Sequence, residues 1–349
     1  MIIALVAGAK YALGWMLLVE ALNAMAFILV LRWSRDRSKV AAWWWLVFMG
    51  LTGALTLTRL DSVAVPISVA GLLFALTRPA LAATLLTVAA WLKVWPAMIV
   101  LALFATGDRW RVARVAVGIS ISIIIVAVVI GGGLDVFTFA AAQGTRGLEV
   151  GAPVATIWLW LAALGLDGSH PIYNDMIKAF EVTGNGSTIA GTIVSVLSVV
   201  ALAAIFTLGL RAQRHNAENA ALIPVMTLAL LASVVVFNKV GSPQYVMMLA
   251  VPVVVGLLWS PRLFRVPAAL AAIAAGLTQV IFPWFFLALV RLEFWMLITA
   301  TIRNAFQIAL LAWAIATLWK MAPKPSRPLG QESSGKNSPF LLNAPLGDV

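Results

Sequence analysis

The chain has 349 residues, 62 % of them hydrophobic and 11 % charged, with a formal net charge of +11. A soluble domain of this length needs a far more polar surface, so the composition excludes a soluble enzyme and specifies a polytopic membrane protein. The basic residues fall mainly in short loops and the tail, a positive-inside pattern that argues against a nucleic-acid partner, and the lack of cysteine excludes disulfides, thiolate metal sites and thiol catalysis.

In chain order, the amino-terminal stretch MIIALVAGAKYALGWMLLVEALNAMAFILVLRW has no basic leader and no small-residue cleavage site, and reads as a retained span. Spans are predicted wherever an apolar run approaches the ~20 residues that a bilayer core requires. They cover Ala12–Leu31, Val40–Thr58, Ser62–Leu76, Val112–Ile130, Ile189–Leu210, Ala220–Phe237, Tyr245–Trp259, Val266–Val290 and Trp295–Trp319. The basic loops RWSRDRSK (Arg32–Lys39) and GDRWRVAR (Gly107–Arg114) place their side in the cytoplasm, and RAQRHNAEN, PRLFR and the tail fit the same side.

Pro79–Ala105 breaks the alternation, because Arg78 and Arg109 put both of its ends on one side. Two short helices, broken near Lys93 and Pro96, restore the parity. Proline ends or kinks a helix, and such a break at membrane depth needs protein or a cavity around it. The total is about eleven spans, with the amino terminus outside and the carboxyl terminus in the cytoplasm. The membrane domain covers residues 1–319, with an external loop over about 131–187 and a disordered tail over 320–349. Inside the loop, ATIWLWLAALG is shorter than a span and is predicted to be a surface-lying or re-entrant helix.

Several polar groups on the external side stand out. Lys93 in WLKVWP is an intramembrane cation, a type of group that usually faces a cavity and binds something; the alternative is a lysine snorkelling to the surface. Arg59 and Asp61 sit at the outer boundary in TRLDS, either as an interfacial ion pair or as part of a site. Two cations such as Arg59 and Lys93, converging there, suit a lipid-linked phosphate. NKVGSPQY brings Lys239, Gln244 and Tyr245, which suit a sugar or a phosphate as well as they suit a polar turn with an interfacial tyrosine. Gln143, Arg146 and Glu149 recur at three-residue spacing and share a face if helical; a solvated surface is the alternative. His170 and His215 are isolated, so no metal site is expected, and no phosphate loop, dinucleotide fingerprint or nucleophile elbow points to a soluble cofactor.

Taken in order, TRLDSVAVPISVAGLLFALTRPALAATLLTVAAWLKVWP, QGTRGLEV, YNDMIKAFEVTGNG and NKVGSPQYVMML make Tyr11–Trp319 resemble the C-superfamily glycosyltransferases. Family 87, the polyprenyl-phosphate-mannose-dependent alpha-mannosyltransferases, is the nearest pattern. The resemblance implies an all-α polytopic bundle that moves a hexose, mannose by the family pattern, from a polyprenyl phosphate to an envelope glycolipid or lipoglycan. It implies a plasma-membrane location, membrane lipids around the chain, and Arg59 and Lys93 as ligands of the donor phosphate. It also implies a further span and an acidic external loop ahead of Met1, carrying the usual base. Glu149, Asp175 and Glu181 are then the candidate bases within these residues. A transporter or flippase of a lipid-linked anion, and a non-catalytic relative that only binds the lipid, are the competing readings.

Overall fold

The computed structural model describes residues 2–34, 39–133 and 146–321. Gln143 and most of the tail, 322–349, lie outside the described residues. The described chain is helical apart from one small β-hairpin. The helices are α1 (Ile2–Trp33), α2 (Val40–Thr52), α3 (Leu55–Thr58), α4 (Asp61–Leu73), α5 (Pro79–Leu92), α6 (Ala97–Thr106) and α7 (Arg109–Val129). After the long loop, which carries the short α8 (Thr156–Ala163), come α9 (Ser187–Arg214), α10 (Asn219–Val236), α11 (Tyr245–Met248) and α12 (Ala250–Trp259). The chain closes with α13 (Arg265–Gln279), a kinked turn at Val280–Trp284, α14 (Phe286–Val290) and α15 (Phe294–Lys320).

Among the described residues, six helices are long and apolar enough to cross a membrane: Lys10–Trp33, Arg109–Val129, Ser187–Arg214, Asn219–Val236, Arg265–Trp284 and Phe294–Lys320. Val40–Thr52, Asp61–Leu73, Pro79–Leu92 and Ala97–Thr106 are apolar too but shorter, at 10–17 residues. Their shortness has local causes. The Val40–Thr58 run stops at Gly53, which turns left-handed at φ 52° before Leu55–Thr58 resumes. The Pro79–Ala105 run is two short helices, α5 and α6, packed on one another and separated at Lys93–Pro96 as expected.

Burial is graded from the centre outward. On α10, nearly every side chain from Leu222 to Val236 is buried, and its packing against α15, α6, α9 and α12 makes it the axis of the bundle. α7 is the opposite case: only Val112 is buried, while Val117, Ile121, Ile125 and Val129 are exposed. An apolar helix with so little protein contact suits hydrocarbon rather than water as its surroundings. The fold is that of a helical, membrane-embedded protein.

The long loop departs from the expectation in two ways. His170–Asn174 and Ala179–Thr183 form an antiparallel hairpin, β1 and β2, in register from His170–Thr183 to Asn174–Ala179. Arg146–Glu149 is not a helical turn. It runs extended along β2, with Val182 N–H donating to Leu148 O at 2.8 Å and Val150 N–H to Phe180 O at 3.1 Å. Three-residue spacing therefore places no shared helical face here, because the partner strand takes up the backbone groups that a helix would have paired internally. TIWLWLAA is the helix α8, packed against α15.

Candidate functional site

The site is built where helix ends converge. α5 terminates at Lys93, which is extended (φ −152°, ψ 133°), and its N–H closes the helix onto Ala89 O. Pro96, lacking an N–H, caps α6 from outside, so the residues between the helices form a tight tip. That tip presents two donors to one carboxylate. Trp95 Nε1 donates to Asp61 Oδ1 at 2.8 Å, and Lys93 Nζ lies 3.4 Å from Asp61 Oδ2. Asp61 is 1 % exposed and opens α4, where the helix dipole favours negative charge. At 3.4 Å the lysine contact is an ion pair rather than a tight hydrogen bond, so Oδ2 and the ammonium both retain bonding capacity. Arg59, two residues before Asp61, lays its guanidinium over the Phe282 ring at 5.4 Å, while its buried Nε makes no hydrogen bond. Lys93 thus pairs with the Asp61 carboxylate, while the contact seen for Arg59 is with Phe282.

A second group comes from the long loop and the Asn238–Gln244 turn. Arg146 Nη1 donates to Glu149 Oε1 at 3.0 Å, and Gly241 N–H donates to Glu149 Oε2 at 3.1 Å. The Glu149 N–H in turn donates to Lys239 O at 3.0 Å. Gly151 and Gly241 meet backbone to backbone, with no room for a Cβ on either. Burial pushes the Glu149 carboxyl above its ordinary 4.5, against the opposing pull of the Arg146 charge. Beneath it, Glu181 is buried too; Gly147 N–H donates to its Oε1 at 2.6 Å and Asn174 Nδ2 to its Oε2 at 3.0 Å. Each oxygen of both glutamates has a hydrogen-bond donor, and the two side chains staple the loop together.

Tyr245 links the two groups. Its half-buried phenol lies within the electrostatic field of Glu149, Arg146 and Asp61. Gln244, half-buried, stands directly before it. The structure therefore joins Asp61 with Lys93 in one group and Arg146 with Glu149 in the other; Lys239 enters the second through its carbonyl, Gln244 and Tyr245 follow it in the turn, and Arg59 is seen over Phe282. Asp175 is elsewhere, exposed on the hairpin turn and paired with Lys178 at 3.2 Å.

Two contributors went unread in the sequence. Trp95 is one, its indole N–H being the shortest bond to Asp61. Arg303 is the other: it lies within α15, 5 % exposed, and its Nη2 donates to Gly151 O at 2.8 Å. Like Lys93, Arg303 is a charge inside an apolar run, FWMLITATIRNAFQIALLAW, and that is its signal in the sequence.

Fold and site together define a helical membrane protein with a cation-rich, carboxylate-containing site at converging helix ends. No protein-family model, no curated protein and no solved structure matches the chain.

Proposed function

We propose that this protein is a membrane glycosyltransferase of the C-superfamily type, family 87 in pattern, that uses a polyprenyl-phosphate sugar. In this reading the short helices complete a bundle of about eleven spans in the plasma membrane, the site faces outward and the carboxyl terminus is cytoplasmic. The observation that carries it is the Lys93 tip: a cation at a helix break, paired with the buried Asp61, with the exposed apolar side chains Leu60, Leu92 and Val94 next to the pair in the chain. A charge at that boundary, open to hydrocarbon on one flank, suits an amphiphile whose phosphate meets protein while its chain stays in lipid.

The chemistry follows from charge. The acceptor hydroxyl oxygen attacks the anomeric carbon, the bond from that carbon to the phosphate oxygen breaks, and the lipid phosphate leaves with the electron pair. Lys93 and Arg59 stabilise the charge gathering on that phosphate, and Asp61 with Trp95 orients the lysine. The acceptor proton passes to a carboxylate acting as general base. Asp61 and Glu149 are the buried carboxylates on either side of Tyr245, and Glu181 lies behind Glu149. The acceptor is an envelope glycolipid or lipoglycan.

The test is transfer of radiolabelled mannose from polyprenyl-phosphate mannose to envelope lipids by the chain in detergent, with Lys93→Met beside it. Transfer that falls at least tenfold in Lys93→Met supports the proposal. Movement of the labelled lipid across sealed vesicles, with no new glycosidic bond in detergent, replaces it with a transporter. Binding of the donor without either result leaves a non-catalytic lipid-binding protein.

A further inference from the structure

Arg303 is a cation within a spanning helix that makes no ion pair among the described residues. It lies nine residues into α15, about 13 Å along the helix from Phe294. Its Nε is buried without a partner, and its one hydrogen bond goes to a carbonyl of the long loop. Desolvating a guanidinium for one such bond is unfavourable for the bundle taken alone, and an apolar side chain would pack there at lower cost. The benefit must lie with what the bond holds.

The bond holds Gly151, which joins Glu149 to α8. Two neighbouring contacts run from the same helix: Asn304 Nδ2 donates to Thr156 Oγ1 at 2.7 Å, and Thr301 Oγ1 accepts from Trp160 Nε1 at 3.0 Å. Both of those join side chain to side chain along α8; of the three hydrogen bonds only that of Arg303 reaches the segment carrying Glu149, whose Leu148, Val150 and Ala152 share an apolar cluster with Met296, Leu297 and Ala300 of α15. On that segment Ala152 is 0 % exposed, and Gly151 abuts Gly241 of the turn that precedes Tyr245.

We infer that Arg303 is a positioning residue: its buried guanidinium seats the Arg146–Ala155 segment in the bundle and so sets Glu149 against the Asn238–Tyr245 turn. Without it, the segment loosens around Gly151 and Ala152, while its backbone bonds to β2 and to Lys239 and the bundle itself stay in place. The seating requires no assumption about the reaction. Its catalytic consequence, a fall in kcat with little change in the KM for the lipid donor, rests on the proposed glycosyl transfer, since Arg59 and Lys93 lie outside the loop.

The chain contains no cysteine, so single cysteines report accessibility without background. Ala152→Cys, Ala229→Cys at the centre of α10 (0 % exposed) and Met176→Cys on the hairpin tip (85 % exposed) are each labelled with a membrane-impermeant maleimide on the purified chain in detergent. Met176→Cys labels in every background and calibrates the rate. Ala152→Cys and Ala229→Cys are protected in the parent. Arg303→Met speeds labelling at Ala152→Cys by about tenfold or more, the scale of a lost charge-assisted bond, while Ala229→Cys stays protected. Arg303→Lys, which can still donate to the Gly151 carbonyl, restores protection. Unchanged protection of Ala152→Cys in Arg303→Met, or simultaneous labelling of Ala152→Cys and Ala229→Cys, overturns the inference. Neither result depends on transfer, so a missing transferase activity and a wrong role for Arg303 are told apart.

Discussion

The ion pair between Lys93 and Asp61 should be energetically coupled, and the coupling can be bounded from its geometry. At 3.4 Å the gross attraction is about 5 kcal/mol for an effective dielectric constant near 20. Lys93 is 29 % exposed and Asp61 1 %, so water screens one partner and the other bears most of the desolvation. The net coupling expected is about 1–3 kcal/mol. Lys93→Met leaves the buried carboxylate with the Trp95 N–H as its remaining hydrogen bond. Asp61→Asn keeps the shape and removes the charge. Thermal unfolding of the parent, both single variants and the double variant in one detergent measures the cycle. Lys93→Met lowers stability most, and adding Asp61→Asn recovers part of the loss because no uncompensated charge remains. A double variant whose loss equals the sum of the single losses would refute the pairing, and with it the idea that Asp61 orients the lysine.

Two further outcomes follow from the loop. Burial raises the Glu149 pKa, so the folded chain holds this proton at a pH where the unfolded chain has released it; stability attributable to Glu149 therefore falls as pH rises from 4.5 through the raised value. Glu149→Gln removes that slope, which the difference in melting temperature between parent and variant across pH 4 to 8 measures; a parent that gains on the variant with rising pH contradicts the assignment. Gly241→Ala forces a methyl group into the Gly151–Ala152 backbone and costs about 1–3 kcal/mol. Unfolding midpoints and loop protease sensitivity check it, and a neutral variant would mean that the loop and turn are not in contact.

The helix break at Lys93 was legible because its causes are local. A lysine and a proline three residues apart interrupt an apolar run, and the flanking Arg78 and Arg109 show that its two ends share a side. The β-hairpin was hidden. HPIYN and AFEVT carry strand-favouring residues, but only their pairing, and the third segment at Leu148–Val150, turns them into strands. For the same reason the even spacing of Arg146 and Glu149 pointed to a helix that the neighbouring strand displaced.

By itself, the sequence determined that the chain is helical and membrane-embedded, and roughly where its apolar helices begin and end, because hydropathy and helix-breaking residues act over a few neighbours. It also singled out Arg59, Asp61 and Lys93, since a charge in or beside an apolar run is conspicuous without any knowledge of its partners. Only the tertiary structure decided that Lys93 and Trp95 share Asp61, that Glu149 grips Gly241, and that Arg303 reaches Gly151. Those contacts join residues 32 to 152 positions apart. Their cost or benefit depends on which polar groups are shut away from water together, a property of the packed bundle rather than of any one segment.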